Sequence, residues 1–140
     1  MHPRAQLRAD ARTALAAPDV LPGVRVLAGW AQDFDADLLP ALGVYTLRTF
    51  SRPASSVDML RNTQLVVHLR RLGSEDLDDQ LDLDSAAIEA AIQPVIDAWG
   101  AGECYLEATD VEIQSDAGHR LGKLTMTFQA GRFSPVGNSQ

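Results

Sequence analysis

The sequence predicts an α+β fold: a mixed, mainly antiparallel sheet of four to five strands with two main helices packed on one face. Three observations lead there. Strand-like runs outnumber helical ones, and hairpin-like links join most of them. In the run Gln64-Leu-Val-Val-His-Leu-Arg-Arg, Leu65, Val67 and Leu69 share one face while Val66, His68 and Arg70 share the other. That is the period of a strand with one buried side and one half-wet side. Ile88, Ile92, Val95, Ile96 and Trp99 recur at helical spacing.

Residues 3–17 read as the first helix. Pro3 suits a first turn, where its missing N–H is not needed. Leu7, Ala11, Ala14 and Leu15 form a narrow apolar face, Arg4, Arg8 and Arg12 form a basic stripe, and Pro18 closes the helix. Pro22-Gly23 is a turn signal, and 24–28 is a short strand candidate. Residues 29–37 read as a loop holding Trp30 and Phe34 among acids. A strand over 41–50 follows. Residues 50–63 show no clear period, and Arg52-Pro53 and Ser55-Ser56 mark them as a loop or long hairpin arm. Its length is one at which loops tend to carry function.

After the strand at 64–71, the acidic block at 75–84 reads as a charged collar before the second helix. That helix is predicted to start at Asp84 or Ser85, either of which can cap it, and to end at Trp99 before Gly100 and Gly102. Pro94 should kink it or divide it. Strands at 103–114 and 121–130 complete one domain over residues 1–130. Residues 131–140, rich in Ser, Pro, Gly and Asn, read as a flexible tail.

At 46% hydrophobic, the chain can bury an ordinary core. Its net charge of −7 and single lysine, Lys123, argue against specific nucleic-acid binding, which is driven by neutralising phosphates. No run is long and apolar enough to span a membrane, and the N-terminus lacks a signal-peptide core. A soluble cytoplasmic chain is the expectation. Cys104 stands alone, which excludes an intrachain disulfide and a cysteine-based zinc site. It reads as a small core residue.

Candidate chemistry is sparse. Asp76, Asp78 and Asp82 lack the alternating ligand frame and the glycine of a calcium loop. His2, His68 and His119 fall in no metal-binding or triad spacing. His68 reads as a half-buried strand residue and His119 as a turn residue. No catalytic residue, metal or cofactor is expected. The charge, however, is segregated. The first helix is basic, through Arg4, Arg8 and Arg12, whereas 75–84 carries Asp76, Asp78, Asp79 and Asp82 and no base. A head-to-tail ring needs two different surfaces, and opposite charges on them would steer its assembly. A solvated helix face and a solvated collar remain the plain alternative.

The succession of an arginine-bearing helix, "Leu-Pro-Ala-Leu-Gly-Val-Tyr-Thr", a loop, "Arg-Asn-Thr-Gln-Leu-Val-Val-His-Leu" from Arg61, "Asp-Asp-Gln-Leu-Asp" from Asp78, "Ile-Glu-Ala-Ala-Ile" from Ile88 and "Lys-Leu-Thr-Met-Thr-Phe" from Lys123 resembles a known group. It is similar to minor tail proteins of long-tailed bacteriophages, specifically the lambda-type tail terminator, over roughly residues 4–130. The resemblance rests on order and texture.

It implies a structural protein of a phage or phage-derived particle, located in the virion tail and assembled in the host cytoplasm. Such a protein forms a homo-oligomeric ring, commonly of six subunits, at the head-proximal end of the tail tube. The ring ends tube polymerisation and offers the head-joining surface. The implied partners are the chain itself, a tail tube protein and a head–tail connector protein, with no membrane. An acidic lumen would let DNA slide without sticking. The loop at 50–63 occupies the place of an assembly loop, with Phe50, Arg52, Met59 and Arg61 as its candidates, and Trp30 and Phe34 are exposed aromatic candidates. The alternatives are another tail-completion, connector or baseplate component, or a small α+β ligand-binding domain or enzyme.

Overall fold

The computed structural model describes residues 2–28, 38–73, 75–100, 102–116 and 119–137. The element order is α1 (Pro3–Leu15), β1 (Arg25–Val26), β2 (Ala41–Pro53), β3 (Asp58–Gly73), α2 (Leu77–Trp99), β4 (Cys104–Asp116) and β5 (His119–Pro135). The strands form one sheet in the order β1-β2-β3-β5-β4. β1 runs parallel to β2, and every other neighbouring pair is antiparallel. The chain is therefore α+β with a mixed, mainly antiparallel sheet, and both helices pack on it.

The predicted faces are the ones used. Leu65, Val67 and Leu69 of β3, flanked by Leu42 and Val44 of β2 and by Leu124, Met126 and Phe128 of β5, form the inner surface. Leu7, Ala11 and Leu15 of α1 and Ile88, Ile92 and Ile96 of α2 close over it. Burying each large aliphatic side chain is worth about 1.5–3 kcal/mol, so this layer holds the fold. α1 starts with Pro3 at its first position, and the His2 Nδ1 accepts the backbone N–H of Arg4 at 3.1 Å. Gly23 takes φ +80° in the predicted turn, a region that disfavours a Cβ.

Four boundaries differ from the sequence expectation. First, α2 begins at Leu77, not at Asp84 or Ser85. Leu77 and Leu81 are fully buried and extend the Ile88 stripe backward by two turns. Apolar packing at that spacing outweighs the surrounding acids, which simply face outward. Asp76 sits at the cap position without a side-chain capping bond, and Ser85 Oγ instead donates to the Asp82 carbonyl at 2.8 Å.

Second, Pro94 lies inside one continuous helix and does not divide it. Pro94 and Ala90 are both exposed, so water can serve the Ala90 carbonyl that Pro94 cannot bond. Third, residues 50–63 are not a loop. β2 runs to Pro53 and β3 starts at Asp58, leaving a turn only at 54–57, where Ser55 Oγ accepts the N–H groups of Val57 and Asp58. Fourth, β5 continues through Pro135 and pairs with β3 as far as Asp58, so the first part of the expected flexible tail is strand. The result is a three-stranded arm that extends the sheet.

One polar contact interrupts the apolar layer. Asp84 is only 3% exposed and lies on the buried stripe of α2. It receives a two-pronged contact from Arg71 of β3, Nε at 2.9 Å and the second guanidinium nitrogen at 3.0 Å, with Gln80 at 3.4 Å. Removing one partner of such a pair strands a buried charge. We expect Asp84→Ala to lower stability in urea unfolding by about 3–5 kcal/mol, and the paired Arg71→Met, Asp84→Leu replacement to be close to neutral.

Candidate functional site

The described residues hold no group of three or more His, Cys, Asp or Glu able to bind a metal. Cys104 packs beside the core with its Sγ 3.8 Å from the Gly131 carbonyl oxygen. Burial pushes its thiol pKa up, so the thiol stays protonated rather than acting as a thiolate. The described surface carries charge in a definite arrangement.

α1 and α2 run antiparallel. The Trp99 indole N–H at the end of α2 donates to the Pro3 carbonyl at the start of α1, at 3.3 Å. At the other end, Val20 and Leu21, just after α1, share a cleft with Gln80, Leu83 and Ala87 of α2. Asp76, Asp78, Asp79 and Asp82 are all exposed around the first turns of α2. Asp78 lies 4.0 Å from the Arg120 guanidinium, a weak surface pair. The sequence expectation of an acidic surface there stands as a cluster on helix rather than a collar before it.

The opposite end of the helix pair gathers arginines from other elements around the exposed Asp97 of the last turn of α2 and Glu103 just beyond it. Arg4 lies beside Thr49, and Arg61 reaches from β3 to Ser134 Oγ at 2.7 Å and Ser51 Oγ at 3.0 Å. The Arg132 guanidinium sits 5.5 Å from the centre of the Trp99 ring. The close approach of α2's end to β5 brings these groups together: a Cβ on Gly100 would collide with the Gly131 backbone carbonyl. A helix of 23 residues is about 34 Å long, which sets the separation of the acidic and basic ends.

The predicted arginine stripe is thus split by the fold. Arg4 is exposed at the basic end. Arg8 is tied to its own sheet, donating to Thr46 Oγ1 at 2.7 Å, and Arg12 is half-buried with an Nε that meets no acceptor. Arg132, which the expected tail concealed, joins Arg4 and Arg61. Its partner signal in the sequence is Trp99, which needs a contact on its exposed ring face. Phe50 is 48% exposed on the arm with the Arg48 guanidinium 5.1 Å from its ring centre, and Arg52 and Met59 lie further along the same arm. Trp30 and Phe34 lie outside the described residues.

The sheet leaves two edges open. Among the described residues, β1 covers only Ala41 and Leu42 of β2, so the remainder of β2 pairs on one side alone, and β4 pairs only with β5. Exposed Arg48 and Arg52 lie on the first edge, and exposed Glu107, Asp110 and Glu112 lie on the second. The two edges are opposite in sign.

His68 belongs to the outer face of β3. It is 8% exposed, more buried than its alternation suggests. Its Nε2 accepts from Arg70 Nε at 3.0 Å, and its Nδ1 lies 2.8 Å from Thr125 Oγ1. Burial lowers its pKa to about 4, with the charges of Arg70 and Lys123 adding to the shift and Glu112 opposing it. The ring is a neutral structural bridge and not a general base at neutral pH.

No protein-family model matches this chain, and no curated protein matches it in sequence.

The His68 shift has a signed consequence. Between about pH 6.5 and about pH 4 the unfolded chain protonates this histidine and the folded chain does not. Its contribution to stability is full above that window and is lost as the pH falls through it. We expect His68→Gln to flatten part of the acid-side fall in melting temperature over that window, measured against the parent by thermal unfolding at stepped pH.

Proposed function

We propose that this chain is a structural tail protein of a phage or phage-derived particle. It assembles head to tail into a ring at the head-proximal end of the tail tube, ends tube polymerisation and provides the surface that the head joins. The observation that carries this reading is the polarity of the surface. Acids gather at the start of α2, Arg4, Arg61 and Arg132 lie near its far end beside Asp97 and Glu103, and the two sheet edges, among the described residues, are acidic and basic.

Such a molecule presents two unlike surfaces that complement each other. Contact between like ends repels, and contact of an acidic end with a basic one attracts, which is the contact a head-to-tail arrangement uses. Heterologous contacts close into a ring or continue as a filament, the two outcomes that a terminator and a tube require. The order of elements, which resembles that of lambda-type terminators, supports the same reading. Within it, the arm formed by β2, β3 and β5 takes the role expected of an assembly loop, and a hexamer is the expected ring.

Light scattering on size-separated protein, followed by electron microscopy, tests this directly. Discrete closed rings, and tails of uncontrolled length when the gene is deleted, are expected. A monomer at every concentration together with normal tails would falsify the reading, and long cylinders would point to a tube subunit instead. Reversing Asp79 and Asp82 to Lys should weaken self-association several-fold, since each exposed pair is worth up to about 1 kcal/mol. Raising salt on the parent should act in the same direction.

A further inference from the structure

The start of α1 and the inner side of the β2–β3 arm enclose a pocket of about 240 Å³. Its lining includes His2, Arg4, Thr49, Ser51, Arg61 and Trp99, and among the described lining residues there is no carboxylate. Two guanidiniums therefore face one small space in a chain whose net charge is −7. Like charges so placed repel unless an anion lies between them. We propose that this pocket is a binding site for an oxyanion group, a phosphate or a carboxylate, gripped chiefly by Arg4 and the Ser51 hydroxyl.

The hydrogen bonds already present support that ligand class. Arg61 donates to Ser51 Oγ, which leaves the Ser51 O–H free to donate in another direction. Thr63, 1% exposed, lies 3.0 Å from Thr49 and fixes that hydroxyl in place. The Arg4 contact to Thr49 is 3.5 Å, at the weak limit, and its remaining side-chain N–H groups meet no acceptor among the described residues. A planar fork in that state suits two oxygens of one anion. Trp99 lines one side with an apolar surface. At about 240 Å³ the space is below the usual range for drug-sized ligands, so it fits a single oxyanion group and not a nucleotide.

The occupant can arrive free in solution or on an aspartate of a second copy of this chain. The second source rests on the assembly reading, and the first does not. Calorimetric titration of inorganic phosphate into the whole chain, in dilute chloride, tests the site itself. Saturable binding is expected, with thermal stabilisation that grows with phosphate. Arg4→Gln should weaken it about tenfold or more, the usual size of a charge-assisted hydrogen bond, and Ser51→Ala should weaken it less. Arg25→Gln, on exposed β1, is the control and should change nothing. Circular dichroism confirms that each variant is folded.

Absence of saturable binding, or binding that Arg4→Gln leaves unchanged, overturns the site. The sources separate in a second arm, in which light scattering follows assembly. If phosphate dissociates the oligomer and Arg4→Gln does so too, the natural occupant is a neighbour's carboxylate. If the oligomer ignores phosphate while calorimetry detects it, the occupant is a free anion. A chain that binds phosphate yet never oligomerises removes the ring reading and keeps the site.

Discussion

The seating of α2 along the inner face of β5 and β4 governs the rest of the molecule. β3 and β4 run parallel with β5 inserted between them, and α2 is the crossover that makes this possible. Five aliphatic side chains from Leu77 to Ile96 press on the sheet, and Gly73 and Gly122 leave room beneath Leu77 and Leu81. Asp84 interrupts that stripe and meets Arg71. Hydrophobic contact alone tolerates a helix that slides by a turn. A buried carboxylate does not, because any other register takes it away from Arg71 and leaves its charge unpaired. The pair adds little net stability over an apolar match. What it supplies is a single register for the helix.

Fixing α2 also fixes where charge can go. With Leu77 and Leu81 turned inward, Asp78, Asp79 and Asp82 must project outward around the positive end of the helix dipole, which favours them there. α1 lies antiparallel, so its first turn and Arg4 are brought to the far end of α2. The polarity of the surface is therefore a consequence of core packing. It needs no separate device, and it is the feature from which both the assembly reading and the anion site grow.

How much of this was legible in the sequence follows from the same physics. Elements with one buried face announced themselves: the β3 alternation, the Ile88–Ile92–Ile96 stripe and the Leu7–Ala11–Leu15 face all appear in the core. Elements without a continuous apolar face did not. On the arm, Thr49, Ser51, Thr63 and Ser134 take the inner positions while Phe50, Arg52 and Leu60 take the outer ones, so no hydrophobic period survives for 50–63 or for 131–135. The start of α2 was hidden differently, because acids outnumber the two leucines that anchor it. The anion site was legible only in part: Arg4 and Arg61 are both conspicuous, but their meeting depends on a pairing register that no local pattern encodes.

The arm itself argues for a role in contact. A sheet that runs past its helices buries less apolar surface, here chiefly Leu60, and polar bonds join its strands. Arg61 does this by joining Ser51 of β2 and Ser134 of β5 to its own β3, and Thr49 and Thr63 add a cross-strand bond. These bonds are formed within the single chain. The ordering cost of the arm is therefore met on folding, and a partner that docks there meets a surface already set in shape.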